Sequence, residues 1–340
     1  MKKVRCGVVG LGQIGPLHLD AITKVEQAEL IAVCDLDEEK AKSYAEQYSC
    51  AYTMSFAKLI ARDDIDLVHI CLPSGMHADF GCLAAKAGKH VLTEKPIDVS
   101  LENADRLIKA CREAGVKLSC ISQHRFDPDI AYLKRAIDEG HLGRISFGAS
   151  HTKWYRSQDY YDSGDWRGTW ALDGGGALMN QSVHYVDMLR HLCGEIEEVQ
   201  AYCATLAHER IEVEDVAVAA VRFRSGAIGV IEGNTTAYPG FVTRLDVYGQ
   251  KGGVIIENDV VKEWKLEGLP APASEALGGP SGASSAVIFG LSHQRQIADV
   301  AQAILDDRAP LVTGEEARKP LAVILAVYES ARAGKPVRLP

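Results

Sequence analysis

Over the first 122 residues, short β-branched runs alternate with stretches whose apolar positions recur every three or four residues. This pattern predicts strands at Val4–Val9, Leu30–Cys34, Leu67–Cys71, His90–Thr93 and Lys117–Ile121. Helices are expected between them at 13–25, 37–48, 76–87 and 101–114, with Ser100 as a cap and Gly88 and Gly115 as stops. Such βαβ alternation predicts an α/β fold whose N-terminal part is a Rossmann, doubly wound parallel sheet. Past residue 122 the pattern changes. One helix near 128–139 precedes longer strands at Ile145–Trp154, Val199–Leu206, Val216–Phe223, Ala227–Asn234, Leu245–Gly249 and Gly253–Glu257. Turns at Ser225-Gly226 and Lys251-Gly252-Gly253 predict consecutive hairpins, hence a C-terminal α/β domain with an open, mostly antiparallel sheet. Helices at 291–306 and 317–333 close the chain. The expected domains are 1–122 and 123–340. Residues 268–286, GLPAPASEALGGPSGASSA, read as a long loop of the kind that serves as a lid.

Composition narrows the partners. With 340 residues, 47% hydrophobic and 24% charged, the chain suits two domains. A net charge of −9 leaves no basic footprint, so nucleic acid and anionic membrane surfaces are not expected partners. Nine cysteines without a CxxC pair point to reduced thiols and a cytoplasmic protein. The glycines that interrupt the N-terminal apolar run exclude a signal peptide there, and no apolar stretch approaches a membrane span.

The first chemical signal is Gly10-Leu11-Gly12-Gln13-Ile14-Gly15, a G-x-G-x-x-G that follows a strand and opens a helix. Its glycines allow backbone to approach a pyrophosphate at the helix N-terminus. A second strand ends at Asp35, where a carboxylate accepts from ribose hydroxyls and repels a 2′-phosphate, so NAD is the expected cofactor rather than NADP. Ligands of open α/β sheets bind at the carboxyl ends of strands, which brings in Leu72, Pro73, His77, Glu94 and Lys95. Pro96 removes an amide donor and biases Lys95 away from helical backbone.

The second signal is WRGTWALDGGGALMNQSVHYVDMLRHLCG, residues 166–194. After the glycines at 174–176, Asn180, His184 and Asp187 are spaced i, i+4, i+7, which places them on one face of a helix. One histidine, one carboxylate and an amide make a poor metal set, so no metal is expected. Hydride transfer fits better, with an imidazole to handle a proton and an amide to bind a hydroxyl.

Taken together, Gly10–Gly15, Glu94-Lys95-Pro96, SQHRFDP at 122–128 and GGGALMNQSVHYVD at 174–187 resemble the glucose-fructose oxidoreductase / inositol dehydrogenase / MocA family over essentially the whole chain. The resemblance implies NAD(P)-linked chemistry on a sugar or cyclitol hydroxyl and oligomer contacts through the open sheet. It carries the roles near the reacting hydroxyl to Lys95 and His184, and cofactor contacts to Gln123, Trp166 and Arg167. Where many members have Asp, this chain has Asn180, which removes the basis for a carboxylate–histidine relay. The MNQ form looks like the branch containing nucleotide-sugar 3-dehydrogenases. Tyr155, Tyr160 and Tyr161, with Lys153 and Arg156, form a loop whose aromatics and cations suit a sugar substrate.

The reading is an NAD-dependent dehydrogenase of a sugar, sugar derivative or cyclitol, built as a homo-oligomer, dimer or tetramer. Lys95 and His184 are the catalytic residues, and Tyr155, Tyr160, Arg167 and Asn180 join them on the substrate. Two rival outcomes use the same fold: a glycoside-cleaving enzyme that oxidises transiently with bound NAD, and a catalytically silent dinucleotide sensor.

Overall fold

The computed structural model describes residues 2–273 and 286–340. Of the expected lid loop at 268–286, residues 274–285 lie outside the described residues. The chain forms two compact units, Met1–Gln123 with Gly290–Arg318, and His124–Phe289 with Lys319–Pro340.

In the first unit, strands β1 (Val4–Val9), β2 (Ala28–Cys34), β3 (Ala51–Thr53), β4 (Leu67–Ile70), β5 (His90–Thr93) and β6 (Leu118–Cys120) form one sheet in the order β3-β2-β1-β4-β5-β6. Every pairing in it is parallel. β1 stands between β2 and β4, so the order reverses there, and the crevice outside its carboxyl end is the ligand position of a doubly wound sheet. The motif Gly10–Gly15 follows β1 directly. β4 is buried at all four positions, as a strand covered on both faces must be.

The first unit also takes in a late part of the chain. Ile297, Val300 and Ala301, from the helix Ala286–Leu305, are buried in the same cluster as Val8, Leu19, Ile22, Val33 and Leu92. A fully buried Ile or Val contributes about 1.5–3 kcal/mol. Continuous domains of 1–122 and 123–340 do not anticipate this return, because the apolar stripe at 297–301 carries no mark of the core it joins.

In the second unit, β7 (Ile145–Lys153), β8 (Ile196–Ala204), β9 (Val216–Phe223), β10 (Ile228–Asn234), β11 (Arg244–Gly249), β12 (Gly252–Glu257), β13 (Val260–Leu266) and β14 (Val337–Arg338) form one sheet in the order β13-β12-β11-β7-β10-β9-β8-β14. The sheet is mostly antiparallel, with one parallel pair, β7 with β10. The expected run of consecutive hairpins is corrected at β7, which lies between β10 and β11. Residues 154–195 intervene between β7 and β8, so no tight turn joins them. The helix Val183–Cys193 packs on β7, where a Cβ at Gly148 would come within 2.5 Å of Cys193 Sγ. Along β9, buried and exposed residues alternate strictly after Val216, so Ala217, Ala219, Val221 and Phe223 face inward and Val218 outward. Tyr202, Val218 and Ile228 are exposed, so the outer face is open and partly apolar.

Candidate active site

The glycine motif is shaped by its own backbone. Gly10 has φ +90°, and a Cβ there would sit 2.4 Å from the Cys71 carbonyl oxygen; one at Gly15 would sit 2.2 Å from that of Gly10. Gly12 differs, since a Cβ there would meet no atom of the described residues within 4 Å. Nothing among the described residues demands a glycine at that exposed position, which fits a ligand passing close to the backbone. Gln13 and Ile14 complete the loop, Ile14 at the N-cap of the helix Gly15–Thr23. Asp35 Oδ2 accepts from the Leu11 amide at 2.7 Å and Oδ1 from the Asp37 amide at 3.0 Å. These bonds hold the half-exposed carboxylate against the glycine loop, where the residues present fit an adenosine ribose. Gln123 is fully buried, and neither end of its amide has a partner among the described residues. A buried amide in that state suits a polar group supplied from outside the chain.

At the other strand ends, His77 draws the expected residues together. Its Nδ1 lies 2.7 Å from the Pro96 carbonyl and its Nε2 2.9 Å from that of Leu72, so the imidazole ties the segment after β4, which includes Pro73, to the Lys95-Pro96 turn. The Lys95-Pro96 peptide is cis. The Lys95 amide donates to Glu94 Oε2 at 3.0 Å.

Glu94 stands in a histidine cluster. Its Oε1 lies 2.9 Å from His18 Nε2 and 3.3 Å from His293 Nε2. Burial alone would raise its pKa; the hydrogen bonds from His18 and His293 outweigh burial and hold it well below the ordinary carboxylate range. An ionised carboxylate only accepts, so both imidazoles donate through Nε2. Burial holds His18 and His69 below the ordinary imidazole value, which keeps them neutral. His18 Nδ1 therefore accepts from His69 Nδ1 at 3.0 Å, and His69 Nε2 remains a buried acceptor without a partner. The three histidines lie outside the motifs, and His69 and His293 are 51 and 199 residues from the groups they meet. No local pattern marks them.

In the second unit the glycine run approaches the protein itself. A Cβ at Gly176 would fall 1.8 Å from the Glu214 carbonyl oxygen, and one at Gly175 2.2 Å from the Tyr328 hydroxyl. The expected single helix is corrected here. Ala177–Gln181 is a π turn and the α-helix begins at Val183, so Asn180, His184 and Asp187 do not share one regular face. Asn180 Nδ2 donates to Asp173 Oδ1 at 2.6 Å, a carboxylate that the motif reading did not single out. Asp187 is buried and takes Arg125 through two bonds, Nε to Oδ2 at 2.7 Å and Nη2 to Oδ1 at 2.5 Å. His184 is buried edge-to-face on His124, with ring centroids 5.4 Å apart. Burial opposes charge on His124; Asp259 and then Asp127, the latter 2.8 Å away, overcome it and lift the imidazole to about 9. At neutral pH a buried imidazolium thus backs His184.

The expected substrate loop divides. Tyr155 is exposed and packs edge-to-face on Tyr238. Arg167 stacks on Trp166 at 4.5 Å and on Tyr160 at 4.3 Å, and its Nη1 donates to the Tyr160 hydroxyl at 2.7 Å. Tyr161 is buried instead, its hydroxyl 3.0 Å from Thr235 Oγ1.

A doubly wound parallel sheet with a glycine loop, a strand-end Asp and a strand-end Lys-Pro defines a dinucleotide-dependent oxidoreductase. Residues 4–122 match the oxidoreductase family, NAD-binding Rossmann fold, and residues 130–255 match the GFO/IDH/MocA C-terminal domain. The chain belongs to the GFO/IDH/MocA family and is an NAD-dependent dehydrogenase. It is 32% identical to a myo-inositol 2-dehydrogenase of Thermotoga maritima over 75% of each chain. It is 29% identical to a scyllo-inositol 2-dehydrogenase (NAD(+)) of Bacillus subtilis over 99% of this chain and 96% of that one. Among solved structures, the WlbA dehydrogenase of Bordetella pertussis, in complex with NADH and UDP-GlcNAcA, superposes with a TM-score of 0.91 at 36% identity, over 100% of this chain and 98% of that one.

Proposed function

We propose that this dehydrogenase oxidises a secondary hydroxyl of a nucleotide-linked sugar. The observation that carries the reading is the end-to-end likeness, at 36% identity, to a dehydrogenase whose structure holds UDP-GlcNAcA. The inositol dehydrogenases, at 29–32% identity, support sugar or cyclitol hydroxyls as the wider class. The residues assigned to the cofactor are Gly10, Gly12, Gln13, Ile14, Gly15, Asp35, Leu72, Pro73, His77, Glu94, Lys95, Gln123, Trp166 and Arg167. Held by these residues, NAD would supply the acceptor for the hydride that leaves the substrate carbon. Lys95 and His184 hold the hydroxyl, one of the two taking its single proton as the carbonyl forms, and Asn180, fixed by Asp173, binds a neighbouring hydroxyl. Glu94, anchored by two imidazoles, bonds the Lys95 amide and fixes the backbone from which the lysine reaches.

No helix among the described residues is long and apolar enough to cross a membrane. We place the enzyme in the cytoplasm, as a dimer or tetramer joined by the open sheet face, whose Tyr202, Val218 and Ile228 are exposed. The reading is tested by assaying NAD reduction with a panel of inositols, free sugars and UDP-sugars. Net NADH formation, fastest with a UDP-sugar, is expected. Fastest turnover of an inositol overturns the nucleotide-sugar assignment, and cleavage without NADH release overturns dehydrogenation as the outcome.

A further inference from the structure

His124 and His184 form a buried pair of imidazoles within the second unit. The rings meet edge to face, with centroids 5.4 Å apart and planes at 86°. Between two neutral rings such a contact is ordinary packing. Here one ring stands among carboxylates. His124 Nδ1 lies 2.8 Å from Asp127 Oδ2 and 3.7 Å from Asp259 Oδ1, and both acids are buried.

The charges around the pair come from four elements. The turn Gln123–Phe126 contributes Arg125 and, directly after it, Asp127. The helix Val183–Cys193 contributes Tyr185 and Asp187 beside His184. The link between β12 and β13 contributes Asp259, and the helix Pro128–Asp138, which packs on Val183–Cys193, contributes the buried Asp129, whose Oδ2 accepts from the Val261 amide. Arg125 is committed to Asp187 by two bonds. The Tyr185 hydroxyl donates to Asp259 Oδ1 at 2.7 Å, and burial holds that phenol well above its ordinary value, so it supplies a hydrogen and no charge. Asp127 and Asp259 therefore draw their cation from His124, since a buried carboxylate needs a paired charge to stay ionised. Burial resists that charge; Asp259 and then Asp127 outweigh it and lift the imidazole from 6.5 to about 9. The consequence falls on His184. A unit charge 5.4 Å away opposes protonation of a second imidazole, and at the effective dielectric of a protein the opposition amounts to about one to two pH units.

We infer that His124 is a positioning residue: its imidazolium holds His184 neutral at physiological pH and so keeps a lone pair on it for the substrate proton. This inference rests on the proposed function above, in which His184 is one of the two groups at the reacting hydroxyl, and adds what sets its charge. A neutral imidazole accepts a proton through its bare nitrogen, whereas an imidazolium can only donate.

The full-length chain, loaded with NADH and isotope-labelled at its histidine rings, is titrated by NMR as wild type and as His124→Gln, His124→Lys and Asp259→Asn, with His184→Gln used to assign the His184 signal. In the wild type, His124 should stay charged to about pH 9. His184 should titrate about one to two units below the ordinary imidazole value. His124→Gln, which keeps the size and removes the charge, should raise the His184 titration by about one to two units, and His124→Lys, which keeps the charge, should hold it within about half a unit of the wild type. Asp259→Asn should lower the His124 titration by about one unit or more. The acid limb of kcat/KM for NAD reduction should follow His184 and move to higher pH by the same amount in His124→Gln, a shift that lost packing alone does not produce. A His124 that is neutral at neutral pH, or a His184 signal that does not move in folded His124→Gln, overturns the inference and leaves the proposed function standing. An acid limb that stays in place while the ring titration moves removes His184 from the proton step, and the inference falls with that role. Should neither variant at position 124 fold, the wild-type His184 decides: titration at or above 6.5 overturns the inference, and titration at least about one unit lower upholds it. If no sugar in the panel is turned over, the substrate reading fails alone, and the ring titrations still decide the relation between the two histidines.

Discussion

Replacing Glu214 by glutamine should make the stability of the protein less dependent on pH, in a direction opposite to that of most carboxylates. The Glu214 side chain is buried; Oε2 accepts from the Gly176 amide at 3.0 Å, and Oε1 from the Leu178 amide at 2.8 Å and the Tyr328 hydroxyl at 2.9 Å. Burial raises the carboxyl from 4.5 to about 7, the largest influence on it, while the Leu178, Gly176 and Tyr328 donors pull it down. A carboxyl whose folded pKa lies above its unfolded one binds more protons when folded, so its stabilising contribution is complete below about 4.5 and is lost as pH rises through 7. At about 1.4 kcal/mol per pH unit, that interval is worth about 3 kcal/mol. Glutamine keeps an oxygen for Leu178 and Tyr328 and does not titrate. Urea unfolding of both proteins from about pH 5 to about pH 8 should show the wild type losing about 3 kcal/mol relative to the variant. A constant offset between the two curves, or a wild type that gains on the variant with rising pH, would refute the account of a carboxyl protonated by burial.

Asp35→Ser should narrow the preference for NAD(H) over NADP(H) by about 1–3 kcal/mol, the range for a hydrogen-bonded charged group, and equal affinity of the wild type for both cofactors would contradict the role given to Asp35. Lys95→Ala should lower kcat by about 10²-fold or more while NADH affinity stays within a few-fold, and near wild-type turnover would remove the lysine from the chemistry. The wild type should be a dimer or tetramer in light scattering at micromolar concentration and Val218→Arg, on the open sheet face, a smaller species; a monomeric wild type would disprove the proposed interface.

The parallel sheet was legible because its signals are local. Strands β1 and β5 appear as β-branched runs with the predicted limits, and the glycine motif sits between the strand and helix that give it meaning. What escaped was short or distant. β3 spans three residues, Ala51–Thr53, too few to show a period. β13, VVKEWKL, lies at the edge of its sheet and alternates poorly, so its charges hid a strand. Among the candidate residues, Lys95 and His184 were marked by motif, but several partners of their neighbours were not. Glu214 reaches the glycine run across 38 residues, and the bonds of Arg125 to Asp187 span 62. The π turn at 177–181 was invisible because its hydrogen bonds span only one residue more than those of an α turn, a change too small for a five-residue apolar pattern to show.

The return of residues 290–318 to the first unit bears on how this enzyme could be taken apart. A fragment ending near residue 122 would carry every nucleotide-binding residue of the glycine loop yet lack Ile297, Val300 and Ala301 from its core. It would also lack His293, one of two imidazoles on Glu94, and Gln296, which accepts from the Ser122 amide at 2.9 Å and donates to the Cys120 carbonyl at 2.8 Å. Chimeras that exchange cofactor domains among relatives by a single cut would therefore join halves with mismatched interiors. Three junctions are needed, one after residue 123 and one on either side of the segment 290–318. For the same reason the first unit has to be inherited in two pieces: a change at His293 can alter the ground beneath Lys95 without touching the sequence around it.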